Sequence, residues 1–538
     1  MPTSDRPHLY VLSRRAMIGL LGTGVTATAL VGCGMSGGGS KNTQATQATA
    51  GNTAFGGTTG GALTQPTQLR SVGGLLEVAL TAAPAMLAWG NGQRYALTYR
   101  QTAAGQTTDT RSTDSQTVQG PTLRVRPGDT LRITLTNALD EATNLHTHGL
   151  HVSPEGNSDN ISLMIDPGQS LTYEYHLPSN HPSGTFWYHP HLHHQVASQV
   201  SGGLAGVIIV EDAIDERPEM RATTERILVL SDPRIGADAQ VLSASSAEKQ
   251  QGREGDVMLV SGGLEPSVSA AAGSVERWRI VNASASRYYR LSVDAPDMYL
   301  IGTDQGRLPS PLNVNDILLT PGQRAEVLVP LAAAGTVTLS TTAVDRGSMS
   351  MGGGMGGGMG SGMGGGMSGT SGGSSSSNDG ARTTLLTVAV TAAAGATVAA
   401  LPTTFPSAPS TSTTTADSTR SIRFGAMSMG DGEFVIDGMA YEPGRIDTTA
   451  RLGTTEDWTI TNNSMMDHPL HLHVWPFRVT SRSDGATPDP GWRDTVNIPA
   501  GQSVTIQVRF EDFGGTTVYH CHILDHEDLG MMANIRVE

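Results

Sequence analysis

From about residue 71 the chain is built from short runs in which apolar and polar residues alternate. TLRVRPGDTLRITLTN, SLTYEYHL, GVIIVED and RILVLS are examples, each bounded by glycine, proline or a small polar residue. Side chains alternate between the two faces of a strand, so period two with many β-branched residues predicts half-buried strands. No long period of 3.6 competes with it. The pattern predicts antiparallel β-sandwiches.

The strands repeat. Gly128 to Asn137 (GDTLRITLTN), Gly273 to Asn282 (GSVERWRIVN) and Gly453 to Asn462 (GTTEDWTITN) share a glycine, an alternating strand and a closing asparagine. A second element follows each: PGQS at 167–170, PGQR at 321–324 and AGQS at 500–503. Three copies predict three related β-domains, at 71–212, 221–400 and 421–538. The middle copy is lengthened by a Gly/Met-rich insertion, 347–380. Residues 34–70, rich in Gly, Ser, Thr, Gln and Asn, predict a disordered tether.

Composition narrows the partners. At 538 residues the chain is too long for one ordinary core. The net charge of −15 excludes nucleic acid as the main partner, because phosphate binding needs basic patches. No apolar run reaches the roughly 20 residues a membrane-spanning helix needs. Residues 1–33 read as an address. Arg14-Arg15 ahead of a weakly apolar stretch resembles a twin-arginine export signal, and Leu30-Val31-Gly32-Cys33 resembles a bacterial lipobox. The expectation is an exported protein of the periplasm or cell envelope, held to the membrane by a lipid on Cys33. With only two cysteines in the chain, Cys521 is then the one thiol left for chemistry, and no intrachain disulfide can form.

The repeat also orders the histidines. His146 and His148 stand 9 and 11 residues after Asn137, and His471 and His473 stand 9 and 11 after Asn462; Leu291 and Val293 hold those offsets in the middle copy. Later, Tyr188-His189-Pro190-His191 matches Tyr519-His520-Cys521-His522. The middle domain has no histidine, so it reads as a spacer without metal. Each His-x-His pair offers two imidazoles on one face of a strand. If the first and third domains face each other, eight imidazoles converge, enough for two or three copper ions. Cys521 points the opposite way from His520 and His522, so its sulfur belongs to another site. His526, Met531 and the spare His468 complete a thiolate, imidazole and thioether set suited to blue copper, whereas zinc favours a second thiolate or a carboxylate. His151, His176, His181, His193 and His194 have no repeat partner and read as structural or incidental.

HTHG at 146–149, HPH at 189–191, HPLHLH at 468–473 and HCHILDHEDLGM at 520–531 together resemble the three-domain multicopper oxidase family, which includes laccases and bacterial cuprous oxidases. The resemblance spans 71–538 apart from the insertion. It implies three cupredoxin-like Greek-key β-sandwich domains, an all-β fold, and four copper ions. By that resemblance His468, Cys521, His526 and Met531 hold a mononuclear copper. His146 and His471 hold the lone ion of a trinuclear cluster, and His148, His189, His191, His473, His520 and His522 hold its copper pair. Electrons would enter near His468 or His526 at the surface, cross Cys521 to His520 or His522, and reduce dioxygen to water. Glu527 sits where the family places a proton-relay acid, and Asp159 is a second candidate.

The insertion suggests the reductant. Met349, Met351, Met355, Met359, Met363 and Met367 lie on a glycine background that forbids a stable helix. Thioethers favour Cu(I). Met465 and Met466 precede His468, and Met427, Met429 and Asp431 open the third domain, so an inner Cu(I) site is expected, although Ser464 stands where the family's cuprous oxidases carry an acid. Cu(I) oxidation in copper tolerance is the leading expectation. Laccase-like oxidation of small phenols is the alternative. A non-catalytic copper-binding or scaffolding protein would lack some ligands, and a two-domain nitrite reductase would lack the third repeat.

Overall fold

The computed structural model describes residues 59–90, 92–101, 118–348, 381–405, 414–425, 433–488 and 490–538. The expected leader with Cys33, the insertion methionines 349–367, and Met427, Met429 and Asp431 lie outside the described residues. Among the described residues no helix is long and apolar enough to cross a membrane.

Six sheets pair into three sandwiches. The first joins a five-stranded sheet (Gln68–Arg70, Thr122–Val125, Gly206–Val210, Gly184–His189, His146–His148) to a four-stranded one (Gly92–Gln101, Leu75–Trp89, Thr130–Asn137, Ser170–His176). The second has seven and five strands between Thr224 and Thr391, and the third has five and five between Ser418 and Val537. Each encloses its own apolar core, centred on residues such as Ile133 and Tyr173, Trp278 and Val327, or Trp458 and Ile506. The sheets are mixed rather than purely antiparallel. Leu75–Trp89 runs parallel to Thr130–Asn137, Thr224–Ser231 to Val275–Asn282, and Ser418–Gly425 to Thr455–Asn462. Alternation reports which face a residue takes, not which way its neighbour runs.

The repeat has a physical cause. The side chain of Asn137 donates to the carbonyls of Glu141 and Ile165 and accepts from Leu139 N. Asn282 does the same with Arg287, Leu319 and Ser284, and Asn462 with Met466, Ile498 and Ser464. All three are fully buried. The backbone N–H of each bonds to the glutamine of the second element, Gln169, Gln323 or Gln502. The asparagine thus staples the strand end to the loop, satisfying buried polar groups that a turn leaves open. The glycines of both elements, from Gly128 (φ 89°) and Gly168 (φ 76°) onward, occupy left-handed conformations that other residues resist.

Two further expectations need correction. The tether ends before residue 70: Gln68–Arg70 forms an edge strand parallel to Thr122–Val125, and the Gln65 side chain bonds both N and O of Ile227. Polar composition hid backbone pairing that a sheet edge supplies. The middle repeat strand, Val275–Asn282, is buried on both faces. Its "polar" face enters an ionic cluster. Arg279 reaches Glu326 and Glu225 at 2.8 Å each, and Arg277 and Arg307 reach Asp215 at 2.6 and 2.7 Å. Burial works against the charge on Arg279, but Glu326, Glu225 and Asp215 outweigh it and hold the guanidinium ionised. Arg279 also donates to Thr185, on the strand that ends in His189. The spacer domain therefore fixes a histidine-bearing strand of the first domain.

Candidate metal centres

The thiolate centre lies wholly in the third domain. His468 opens the strand His468–Leu472, Cys521 closes Gly515–Cys521, and the two strands pair with Leu470 opposite Cys521. His526 rides the short helix Leu524–Asp528 that follows at once. Cys521 Sγ lies 3.4 Å from His468 Nδ1 and 3.8 Å from His526 Nδ1, and the two Nδ1 atoms are 3.2 Å apart. The other nitrogens are engaged: His468 Nε2 with Ser464 Oγ at 2.9 Å, His526 Nε2 with Gln250 O at 3.1 Å. Such outer partners fix ring orientation. Met531 is latched between them, donating from N to His526 O while its carbonyl accepts from Cys521 N, and it is fully buried. Burial pushes the Cys521 thiol up and brings the His468 imidazole down to about 3. Both histidines are completely inaccessible, so the expected surface edge is absent.

Eight further imidazoles meet between the first and third domains. His146, His471 and His473 form one group whose ligand atoms lie within 4.8 Å of each other; His191, His473 and His520 form another, and His146, His148 and His189 a third. His520 Nε2 is 3.1 Å from His191 Nε2 and 3.2 Å from His473 Nε2, and His522 Nε2 is 3.3 Å from His148 Nδ1. Only the pair 146/148 lies wholly inside a strand. His191, His473 and His522 stand just beyond strand ends, where the ladder opens and imidazoles can turn inward.

Several rings keep one nitrogen without a hydrogen-bond partner although buried: Nε2 of His146, His189 and His471, Nδ1 of His191, His473 and His522. Their opposite nitrogens are tied down where partners exist, His189 Nδ1 to Pro190 O and His471 Nδ1 to Asp494 O. Desolvation lowers the pKa of His146, His148, His191, His471, His520 and His522 well below the ordinary value, so these rings are neutral. Buried Nε2 atoms without a partner on His146, His189 and His471 are what a bound cation satisfies, while the free Nδ1 atoms of His191 and His473 lie towards Glu527 and Asp159. The donor set fits copper in both centres.

Both candidate acids border the cluster. Asp159 is buried, with Oδ1 2.9 Å from His146 Nδ1 and accepting from Thr147 N, and Oδ2 3.6 Å from His473 Nδ1. Glu527, fully buried on the same short helix as His526, has oxygens 3.0 Å from His520 Nδ1 and 3.5 Å from His191 Nδ1. Burial raises its pKa against the pull of His191 and His473.

Sequence reasoning missed Asp494. It sits 3.1 Å from His148 Nε2, accepts both arms of Arg324 at 2.7 and 2.6 Å, and accepts from Gln305 at 2.7 Å. Arg324 also donates to Thr185 O, joining all three domains. The available signal was the Arg of PGQR, where the other copies have serine. The unmatched histidines behave as expected. His151 N donates to the buried His181, His176 is exposed beside Glu174, and His193 packs on His194. Met466 is fully buried in the third core, and Met465 beside it is exposed.

Three multicopper oxidase family models match the chain in order, at 97–215, 236–344 and 405–538. The chain is 29% identical over 427 residues to the multicopper oxidase mco of Staphylococcus haemolyticus, covering 78% of this chain and 82% of that one. It is 30% identical over 430 residues to the cell division protein FtsP of Xenorhabdus nematophila, 78% and 83% covered. It is 26% identical over 395 residues to the laccase of Bacillus subtilis, 66% and 71% covered. A multicopper oxidase from Campylobacter jejuni, described as a metallo-oxidase, superposes with a TM-score of 0.72 at 26% identity, covering 90% and 96%. McoA from Aquifex aeolicus gives 0.72 at 25%, covering 89% and 100%. The fold is cupredoxin-like, and the matches run through the strands that carry both histidine centres: this chain belongs to the multicopper oxidase family, copper-binding oxidoreductases that use dioxygen and a reducing substrate.

Proposed function

We propose that the protein oxidises a small one-electron donor, Cu(I) foremost, and delivers the electrons to dioxygen. His468, Cys521, His526 and Met531 are the ligands of the mononuclear copper. His146 and His471 hold the lone ion of the cluster, and His148, His189, His191, His473, His520 and His522 hold its pair. Copper bound there supplies stepwise electron acceptance and the reduction of dioxygen by four electrons and four protons to two waters. Cys521 lies between His520 and His522, so only a few covalent bonds separate the centres. Asp159 and Glu527 orient His146 and His520 and are placed to hand protons inward.

The observation that carries the donor assignment is burial. His468 and His526 are both inaccessible, so the aromatic ring of an external donor cannot rest on either. The base of the Met-rich insertion is pinned beside them, with Gly347 bridging to Met466 and Asp467 N donating to Arg346 O. Laccase-like oxidation of small phenols is the second reading, favoured by the Bacillus subtilis relative. A non-catalytic copper-binding or scaffolding role would predict missing ligands, and this chain keeps all twelve. Residues 1–33 support export, with Cys33 as a lipid anchor.

The test is to measure Cu(I) and 2,6-dimethoxyphenol oxidation, with excess Cu(II), before and after deleting 349–367. Slower Cu(I) oxidation with equal or faster phenol oxidation is expected. If both rates are unchanged, the donor assignment fails.

A further inference from the structure

The group that covers the His526 edge comes from the spacer domain. His526 Nε2 meets the carbonyl of Gln250, the next-to-last residue of a helical turn, Ser246–Gln251. Gln250 is itself half-exposed, so its peptide stands between the imidazole and solvent. Phe434 stacks on the ring at 4.0 Å. The turn begins with a capping box, Ser245 Oγ accepting from Glu248 N while Glu248 accepts from Ser245 N.

A latch follows. Arg253 grips Asp525, the residue before His526, through its guanidinium at 2.7–3.1 Å and its backbone N at 2.9 Å. Asp525 is 1% exposed. Arg346, at the foot of the insertion, donates to Gly252 O at 3.0 Å and to Glu254 at 2.9 Å. Gly252 (φ 71°) is packed so closely that a Cβ there would stand 2.6 Å from Ile523 Cγ2 and 2.9 Å from Ser286 Cβ.

We propose that segment 245–254, latched by Arg253 on Asp525, is a specificity-determining lid: it admits electrons through the Gln250 peptide from a small donor at its outer surface and excludes donors that must place an aromatic ring on His526. This rests on the reading of His526 as a ligand of the mononuclear copper. At the lid Cu(I) loses one electron and becomes Cu(II). A bulky phenol would lose one electron and release its hydroxyl proton to solvent, but only with the lid raised. The electron acceptor in each case is the copper site, reoxidised by dioxygen.

The test uses the full chain and two variants. Arg253→Ala removes the latch, and Glu248→Ala loosens the start of the turn without touching Asp525. In copper-free protein, carbethoxylation of His526 is mapped by mass spectrometry against the exposed His176. Wild-type His526 should react far more slowly than His176, and either variant should raise its rate about tenfold or more. In copper-loaded protein that keeps its blue absorption, KM for a two-ring phenol should fall about tenfold. The proposal is overturned if wild-type His526 reacts as fast as His176, if neither variant changes its reactivity, or if reactivity rises and the phenol KM does not move. A copper-loaded wild type without blue colour would instead overturn the ligand reading, and the copper-free comparison would still decide whether the lid exists.

Discussion

The copper-free protein should be acid-labile, and the size of the effect follows from burial. Nine of the clustered imidazoles, His146 and His468 among them, have pKa values lowered from the ordinary 6.5, with desolvation the first cause for each. A histidine kept neutral in the fold stabilises it fully above 6.5. As pH falls, the unfolded chain takes up the proton and the folded one does not, so stability is lost towards the lowered value. From about pH 7.5 to about pH 6 each such ring costs about 0.8 kcal/mol, and nine cost about 7 kcal/mol. Glu527 and Asp528 are shifted upward by burial and oppose this. Taking up protons in the folded state, they return at most about 2 kcal/mol each over the same interval. The remainder, about 3 kcal/mol before other raised buried acids such as Asp304 are counted, is a large share of a typical folding free energy. Copper held on the same nitrogens adds stability at both pH values, and because it too keeps the folded rings unprotonated it leaves the direction of the effect unchanged. The assay is thermal unfolding of copper-free and copper-loaded protein at both pH values. A copper-free midpoint that does not fall between the two pH values would refute the claim that these rings are buried and neutral.

Cys521→Ser should abolish the intense blue absorption and slow turnover by at least about a thousandfold, with far-ultraviolet circular dichroism unchanged, since the thiolate is both ligand and electron path. Asp159→Asn should lower cluster copper occupancy or turnover about 10- to 100-fold, read by metal analysis and oxygen uptake, because both its oxygens support cluster imidazoles. Asn282→Ala removes three buried hydrogen bonds in the metal-free domain and should cost about 2–3 kcal/mol in denaturant unfolding while leaving the copper spectrum of the folded protein intact. An unchanged stability would deny that the repeated asparagine is a staple.

Much of the site was legible before any coordinates. The offsets of 9 and 11 residues from Asn137 and Asn462 located two histidine pairs, because the asparagine staple fixes where the chain leaves each strand. Alternation separated Cys521 from His520 and His522, and the sulfur does face His468 and His526. Other features left no period to read. Asp494 is one aspartate in a strand, made important by Arg324 from another domain.

The sequence by itself determined the three-fold β repeat, the all-β fold, and the residue types able to bind copper. Those depend on local quantities: period two along a strand, glycine at positive φ, and ligand chemistry at fixed spacing. The tertiary structure alone decided what covers those residues. It buried the charged face of Val275–Asn282, ordered the end of the tether, and closed His526 beneath Gln250, 276 positions away along the chain. Burial is set by whichever distant surface arrives, and a sequence records such an arrival only when both partners carry a pattern.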